Sequence, residues 1–224
     1  RIAAPVEPAA TASPAVSCYS IGLAIYLMGV LFFIARFLWG VASLIRLIRA
    51  GRRERLADGS WLVLHRLPMA PFSWLRFIFL FERDLRGKPE LILAHEQAHI
   101  RMRHTWDLLF TELFLWLQWF NPAAWLLRQE LQSVHEFEAD AAVLGMGYDS
   151  KEYKLLLIEK AVGSSRYTLA NSFNHSSLIN RITMMQKRKS NPWARMKYAF
   201  VLPVAATAMA AFARPEISQQ MAEI

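Results

Sequence analysis

Two stretches of this chain are apolar enough to stand apart from the rest, and the apolar positions between them recur at helix or strand spacing. Tyr19 to Ala35 (YSIGLAIYLMGVLFFIA) carries no charge, and beyond Arg36 the run resumes as FLWGVASLI. Crossing a bilayer takes about 20 apolar residues, so the pattern predicts a transmembrane helix over residues 19–45. The competing reading, a buried core helix, would have to hide this whole run inside a small domain. A second apolar stretch, Ala199–Ala213 (AFVLPVAATAMAAFA), is short and holds Pro203. It is read as a further transmembrane helix over 198–213, with its flanks reaching the interfaces.

Between them, residues 60–81 mix aromatics and aliphatics around Pro68 and Pro71, which predicts two short strands joined by a Pro-bearing turn. Trp74–Phe81 reads either as an edge able to pair with an extended substrate or as a plain core strand. ERDLRGKP is a loop. A helix starts near Pro89 or Glu90, where Pro suits the first turn, and runs to about Phe120. Asn121-Pro122 breaks it, and Pro122 opens the next helix, through about Leu144, with Gly145 and Gly147 ending it. Further helices cover roughly Ser150–Val162 and Ser177–Lys187. Trp106–Leu127 is strongly apolar but includes Asp107, Glu112 and Gln118, so it reads as a helix pair pressed to the membrane rather than another span. The fold class is therefore a mainly α membrane protein: a helical domain with a small β-hairpin or sheet, between two transmembrane helices.

Composition agrees with a membrane class. Of the 224 residues, 54% are hydrophobic, above the roughly 45–50% usual for soluble domains. The net charge of +8 raises nucleic acid as a partner, but position decides against it. RLIRAGRRER follows the first apolar stretch and KRKSNPWARMK precedes the second, whereas the outer flanks are nearly uncharged. Positive residues stay on the cytoplasmic side. The expected organisation is an extracytoplasmic leader (1–18, rich in Pro, Ala, Ser and Thr), a first span, a cytoplasmic domain (46–197), a second span and an extracytoplasmic tail (214–224). Basic charges that hug the spans mark lipid rather than direct nucleic-acid binding, the 187–189 KRK run included. Cys18 is the single cysteine, which excludes an intrachain disulfide and a Cys-rich metal site. The chain opens at Arg1 rather than Met and reads as part of a longer one.

The chemistry is concentrated in LAHEQAHIRMRH. Residues four apart share a helix face, so His95 and His99 can reach one ion, and Glu96, rotated by about 100°, suits a base that does not itself ligate. Two satisfied histidines on a helix face are the plainer alternative. A catalytic zinc site needs a third protein ligand and an open position. HEFEAD, residues 135–140, offers Glu136 and Asp140 on one face, Glu136 as third ligand and Asp140 to orient a ligand histidine from outside. His135 and Glu138 point elsewhere round that helix, and His104 lies off the face of His99. Asp107 is a further candidate to support the site. Arg128, Asn174 and His175 are candidates for oxyanion or substrate contacts.

HEQAH, WFNP and HEFEAD in this order resemble the BlaR/MecR family of membrane zinc metallopeptidases, the antirepressor family. PFSWLRFIF, NSFNHSSLINRITMMQKRKS and the closing LP-containing apolar segment are similar to its Bacteroidetes branch. The second motif, Glu-x-x-x-Asp, is also similar to that of the HtpX membrane proteases. The resemblance runs from about Tyr19 to Ala213. It implies zinc on His95, His99 and Glu136, Glu96 as base, and a four-span protein whose first two spans are absent here. Relatives that sense beta-lactams carry a penicillin-binding domain after the last span; only about ten residues follow Ala213, so beta-lactam sensing is not expected.

The function expected is a multi-pass zinc endopeptidase of a signalling system in the bacterial inner membrane. It would cleave a cytoplasmic regulator, such as a transcriptional repressor, and itself, by Glu-assisted attack of zinc-bound water. The alternatives are a non-enzymatic membrane transducer with a structural metal site and a quality-control protease for membrane proteins. An oligomer is compatible with either.

Overall fold

The computed structural model describes residues 18–163, 171–187, 193, 196 and 199–212, with side chains of the last helix pair only in part. They fall in two units, residues 1–185 and 186–224.

Helix α1 (Cys18–Ala50) takes up the whole first apolar stretch and continues into the arginines. Its 33 residues extend for about 50 Å, more than the roughly 30 Å of bilayer hydrocarbon. None of its most apolar window is buried by the rest of the protein. Among the described residues it is the one helix long and apolar enough to cross a membrane.

A four-stranded sheet follows, with strands β1 (Arg52–Arg55), β2 (Trp61–His65), β3 (Phe72–Trp74) and β4 (Phe77–Phe81) in the order β1-β2-β4-β3. β1 and β2 form an antiparallel hairpin whose turn is held by Asp58, which accepts from the backbone and hydroxyl of Ser60. The sequence predicts two strands in 60–81, but three are found, and the two longer ones, β2 and β4, pair in parallel rather than as a hairpin. Pro68 and Pro71 lack the N–H that a ladder needs. The segment they occupy leaves the sheet and returns as β3, and β4 then fills the gap between β2 and β3. Most of Trp74–Phe81 is therefore a core strand: β4 is paired on both sides, and Trp74 belongs to β3, which forms one edge of the sheet as β1 forms the other. The tight β3–β4 turn puts Leu75 at φ 53, and Thr105 Oγ1 accepts its N–H at 3.1 Å.

Ile78, Phe79 and Leu80 are buried, as their unbroken apolar run demands. With Leu62 and Leu64 they pack against Leu91, Ile92 and Ala94 of α2 (Pro89–Met102), Val143 of α4 (Pro122–Gly145), and Tyr153 and Leu156 of α5 (Ser150–Gly163). A 3-10 turn, Glu82–Arg86, links the sheet to α2, and Lys160 of α5 pairs with its Asp84 at 2.5 Å.

The expected single helix to Phe120 is two helices. Arg103 adopts φ 62, which closes α2, and α3 (His104–Leu117) starts in a new direction. The turn at 118–121 and Pro122 then fall as expected, with Asn121 Oδ1 capping α4 through the Ala123 N–H at 3.0 Å. α6 (Asn171–Gln186) begins earlier than the sequence predicts. In the second unit, α7 (Val201–Phe212) spans about 18 Å, short of the hydrocarbon thickness on its own.

Candidate metal centre and active site

α2 carries His95 and His99 one turn apart, and their Nε2 atoms stand 3.2 Å from each other. α4 packs against α2 and brings Glu136 over them, Oε2 at 3.4 Å from His95 Nε2 and Oε1 at 3.6 Å from His99 Nε2. The three ligand atoms lie within 4.8 Å of one another. A tetrahedral ion bound at about 2.0–2.1 Å holds its ligands roughly 3.3 Å apart, so two imidazoles and a carboxylate at these separations fit zinc. The charge states of His99 and Glu136 fit as well, whereas an ion would have to displace a proton from His95. Burial and the neighbouring His95 hold His99 down to about 3, so its ring is neutral at pH 7. Burial raises the Glu136 carboxyl, but the bond to His95 and the Arg181 charge overcome it and bring it to about 2. Burial also works against a charge on His95, yet the Glu136 bond and the Glu96 and Glu136 carboxylates leave it raised.

Glu96, only 6% exposed, lies in the same cleft. Desolvation raises its carboxyl against the lowering by His95 and the Ser73 hydrogen bond, which moves it toward the range of a working general base. The cleft is about 410 Å³ and is bounded by Phe72 and Ser73 of β3, Leu91 and Ile92 of α2, Leu156 and Leu157 of α5, and Arg181 of α6.

Two chains of hydrogen bonds lead outward from the histidines. With Nε2 turned to Glu136, His95 donates its Nδ1–H to the Tyr153 hydroxyl at 2.8 Å, and Tyr153 donates to Asp140 Oδ1 at 2.7 Å. Asp140 is thus placed behind His95, as the shared face of Glu136 and Asp140 leads one to expect: its Oδ1 lies 3.4 Å from His95 Nδ1, and the Tyr153 hydroxyl bonds to both. On the other side His99 Nδ1 meets His104 Nδ1 at 2.7 Å, and His104 Nε2 meets Glu138 Oε2 at 3.1 Å. If Nε2 of His99 faces the ion, the tautomers follow: His99 donates to His104, and His104 donates to Glu138. The His135 ring stacks on that of His104 at 4.0 Å and bonds Asp107 Oδ2 at 3.2 Å. Asp107 therefore reaches the site only through two histidines. His104 is the larger surprise: the break at Arg103 swings it back to touch His99, which an unbroken helix would forbid.

Arg181 unites the carboxylates. Its Nη1 is 3.0 Å from Glu136 Oε2, while Nε and Nη2 hold both oxygens of Asp140 at 2.9 and 2.6 Å. It is the positive group of the cleft that meets Glu136, while Lys160, which also lines the cleft, pairs with Asp84; the sequence suggests Arg128 for such a place. Arg128 is instead engaged by Glu112 at 2.8 Å and does not line the cleft. The side chains of Asn174 and His175 lie outside the described residues. Neither Tyr153 nor Arg181 stands out by motif, although Arg181 is the one charge between Arg166 and Lys187. Since Asp140 is 1% exposed, removing its partner strands a buried charge. Arg181→Met is expected to cost about 3–5 kcal/mol of folding stability, measured as a lowered denaturation midpoint; an unchanged midpoint would refute this role.

No curated protein matches the chain. Residues 82–185, from the 3-10 turn through nearly all of α6, match the model of the family described as BlaR1 peptidase M56. Every ligand candidate, Glu96, Tyr153 and Arg181 fall inside that match, so the segment that supplies most of the cleft is similar to a peptidase domain of the BlaR1 type.

Proposed function

We propose that this chain is a membrane-bound zinc endopeptidase of a signalling system, which cuts an extended segment of a cytoplasmic regulatory protein and of its own chain. The observation that carries the reading is the convergence of His95, His99 and Glu136 beside a buried Glu96 in an open cleft. A purely structural zinc site closes with four protein ligands, whereas three ligands and an open face suit catalysis. This favours the enzyme over a transducer with a metal clamp.

The ion, when bound to His95, His99 and Glu136, supplies Lewis acidity to the scissile carbonyl and to water. Glu96 accepts a proton from the attacking water and delivers it to the leaving amine. Arg181, fixed by Asp140, holds Glu136 as an anion and fixes its direction. Tyr153 and His104 set the ring orientations of the two histidines. The unpaired edge of β3 beside the cleft offers main-chain hydrogen bonds to an extended substrate, a recognition mode tolerant of sequence.

The topology proposed has α1 as a span and a second span at 198–213, with residues 46–197 cytoplasmic; the basic clusters at 46–55 and 187–197 support it. A cytoplasmic cleft favours an intracellular regulator, such as a repressor, as substrate. Glu136→Ala should lower zinc affinity by more than the 10–100-fold typical of losing an outer hydrogen-bond partner. Zinc retained by this variant after dialysis against a chelator, at wild-type stoichiometry, would overturn the ligand set.

A further inference from the structure

The helical hairpin made by the end of α3 and the start of α4 has an outer face that nothing among the described residues covers. Phe110 is 70% exposed, Phe120 59% and Leu126 61%, with Leu113, Leu117 and Leu127 each above half. From Leu113 to Leu127 there is no charged residue. The first charges beyond that stretch, Glu112 and Arg128, pair with each other across the two helices.

The inner face of the hairpin lies along α1. Phe37 packs on Trp116 and Phe33 on Trp119 and Trp125, while Phe120, at the tip, meets Tyr26 by one edge and is otherwise exposed. Gly29 lies flat against the Trp119 indole, where a Cβ would come within 2.2 Å of the ring, so the close approach depends on glycine. Ten residues, about 15 Å of helix, separate Tyr26 from Arg36, the first charge of α1. If α1 crosses a bilayer, Tyr26 to Phe33 lie in its hydrocarbon, and whatever packs beside them lies at the same depth.

The polar groups of the turn are arranged for a medium without water. Trp119 Nε1 donates to the Tyr26 carbonyl at 3.3 Å, the Tyr26 hydroxyl to the Leu117 carbonyl at 3.2 Å, and Trp125 Nε1 to the Trp119 carbonyl at 2.9 Å. Asn121 Nδ2 bonds Gln118 Oε1 at 3.3 Å while its own oxygen caps α4. Non-helical backbone at membrane depth is tolerated when such groups are satisfied internally and it is sheltered by protein.

We infer that the α3–α4 hairpin is a re-entrant element that enters the bilayer beside α1 and turns back at Phe120–Pro122, with lipid acyl chains as the occupant of its outer face. This rests on the reading of α1 as a span. Eight residues of α4, about 12 Å, separate Arg128 from Glu136. Embedding the hairpin therefore holds the cleft close under the membrane surface and favours substrate segments near the bilayer.

The test uses the full chain with Cys18→Ser, reconstituted in phosphatidylcholine vesicles. Single cysteines placed by Leu117→Cys or Leu126→Cys carry a nitroxide, with Leu27→Cys and Leu31→Cys on α1 as references and Arg53→Cys as the aqueous one. Power saturation then compares contact with oxygen and with a water-soluble nickel chelate. The expected result is oxygen preference at 117 and 126, at depths within one helical turn, about 5.4 Å, of those at 27 and 31. Oxygen preference on α1 with nickel access at 117 and 126 would overturn the inference while leaving the span intact. Shielding of 117 and 126 from both reagents would overturn lipid as the occupant in favour of protein, such as a second copy. Nickel access at 27 and 31 would overturn the span and the inference with it.

Discussion

Glu96→Gln should leave zinc content unchanged while peptide-bond hydrolysis falls by about 10²–10⁴-fold, the range a positioned general base contributes. Glutamine preserves the shape of the side chain and its contact with Ser73 but cannot take a proton at neutral pH. Glu96 does not belong to the three converging ligand atoms, so the ligand set survives the change. Burial holds its carboxyl above the ordinary value, closer to the pH at which a base both stays ionised and accepts a proton readily. The measurements are zinc stoichiometry and cleavage of an unfolded protein substrate by the reconstituted chain, side by side. Bound zinc with undiminished cleavage would remove Glu96 from the mechanism. Loss of zinc together with cleavage would mean instead that Glu96 holds the centre together.

That variant tests the part of the site most readable from the amino-acid sequence. His95 and His99 four apart, and Glu136 and Asp140 four apart on a second helix, are period arguments, and the structure brings all four into one cluster. The helix boundaries at Pro89, Pro122 and Ser150 are equally local, because proline and capping residues act within a turn. What escaped was nonlocal or unmarked. The insertion of β4 between β2 and β3 is a choice among pairings that no turn residue specifies. Arg103 takes a left-handed conformation with neither glycine nor asparagine to announce it, and the whole placement of His104 follows from that one residue. Arg181 and Arg128 both lie within helices of mixed composition, and only the approach of α6 to α4 decides which guanidinium meets Glu136. Tyr153 is one tyrosine in an amphiphilic helix until the fold brings it between His95 and Asp140.

The second large effect belongs to His104. Its 2.7 Å contact with His99 is the shortest of those that orient the two histidines, and it is buried at 3% exposure. For His99 to present Nε2 to the metal, its Nδ1 must carry the proton and needs an acceptor; His104 Nδ1 is that acceptor only while its ring is neutral. Burial and the stacked His135 lower the His104 pKa and keep it so. His104→Ala is expected to weaken zinc binding by about 10–100-fold, the typical cost of removing an outer partner of a metal-bound histidine. His104→Asn places an amide oxygen near the lost Nδ1 and should recover most of the affinity. Glu138→Ala should cost less, since the Glu138 carboxylate is 55% exposed and water can replace it as the acceptor of His104. Competition with a chelator gives the affinities, and the denaturation midpoint of the metal-free protein separates orientation from packing. Equal affinity losses for the alanine and asparagine variants, each tracking a lowered midpoint, would reduce His104 to a packing residue. Recovery with asparagine at an unchanged midpoint would establish that an acceptor, rather than a filled volume, is what His99 requires.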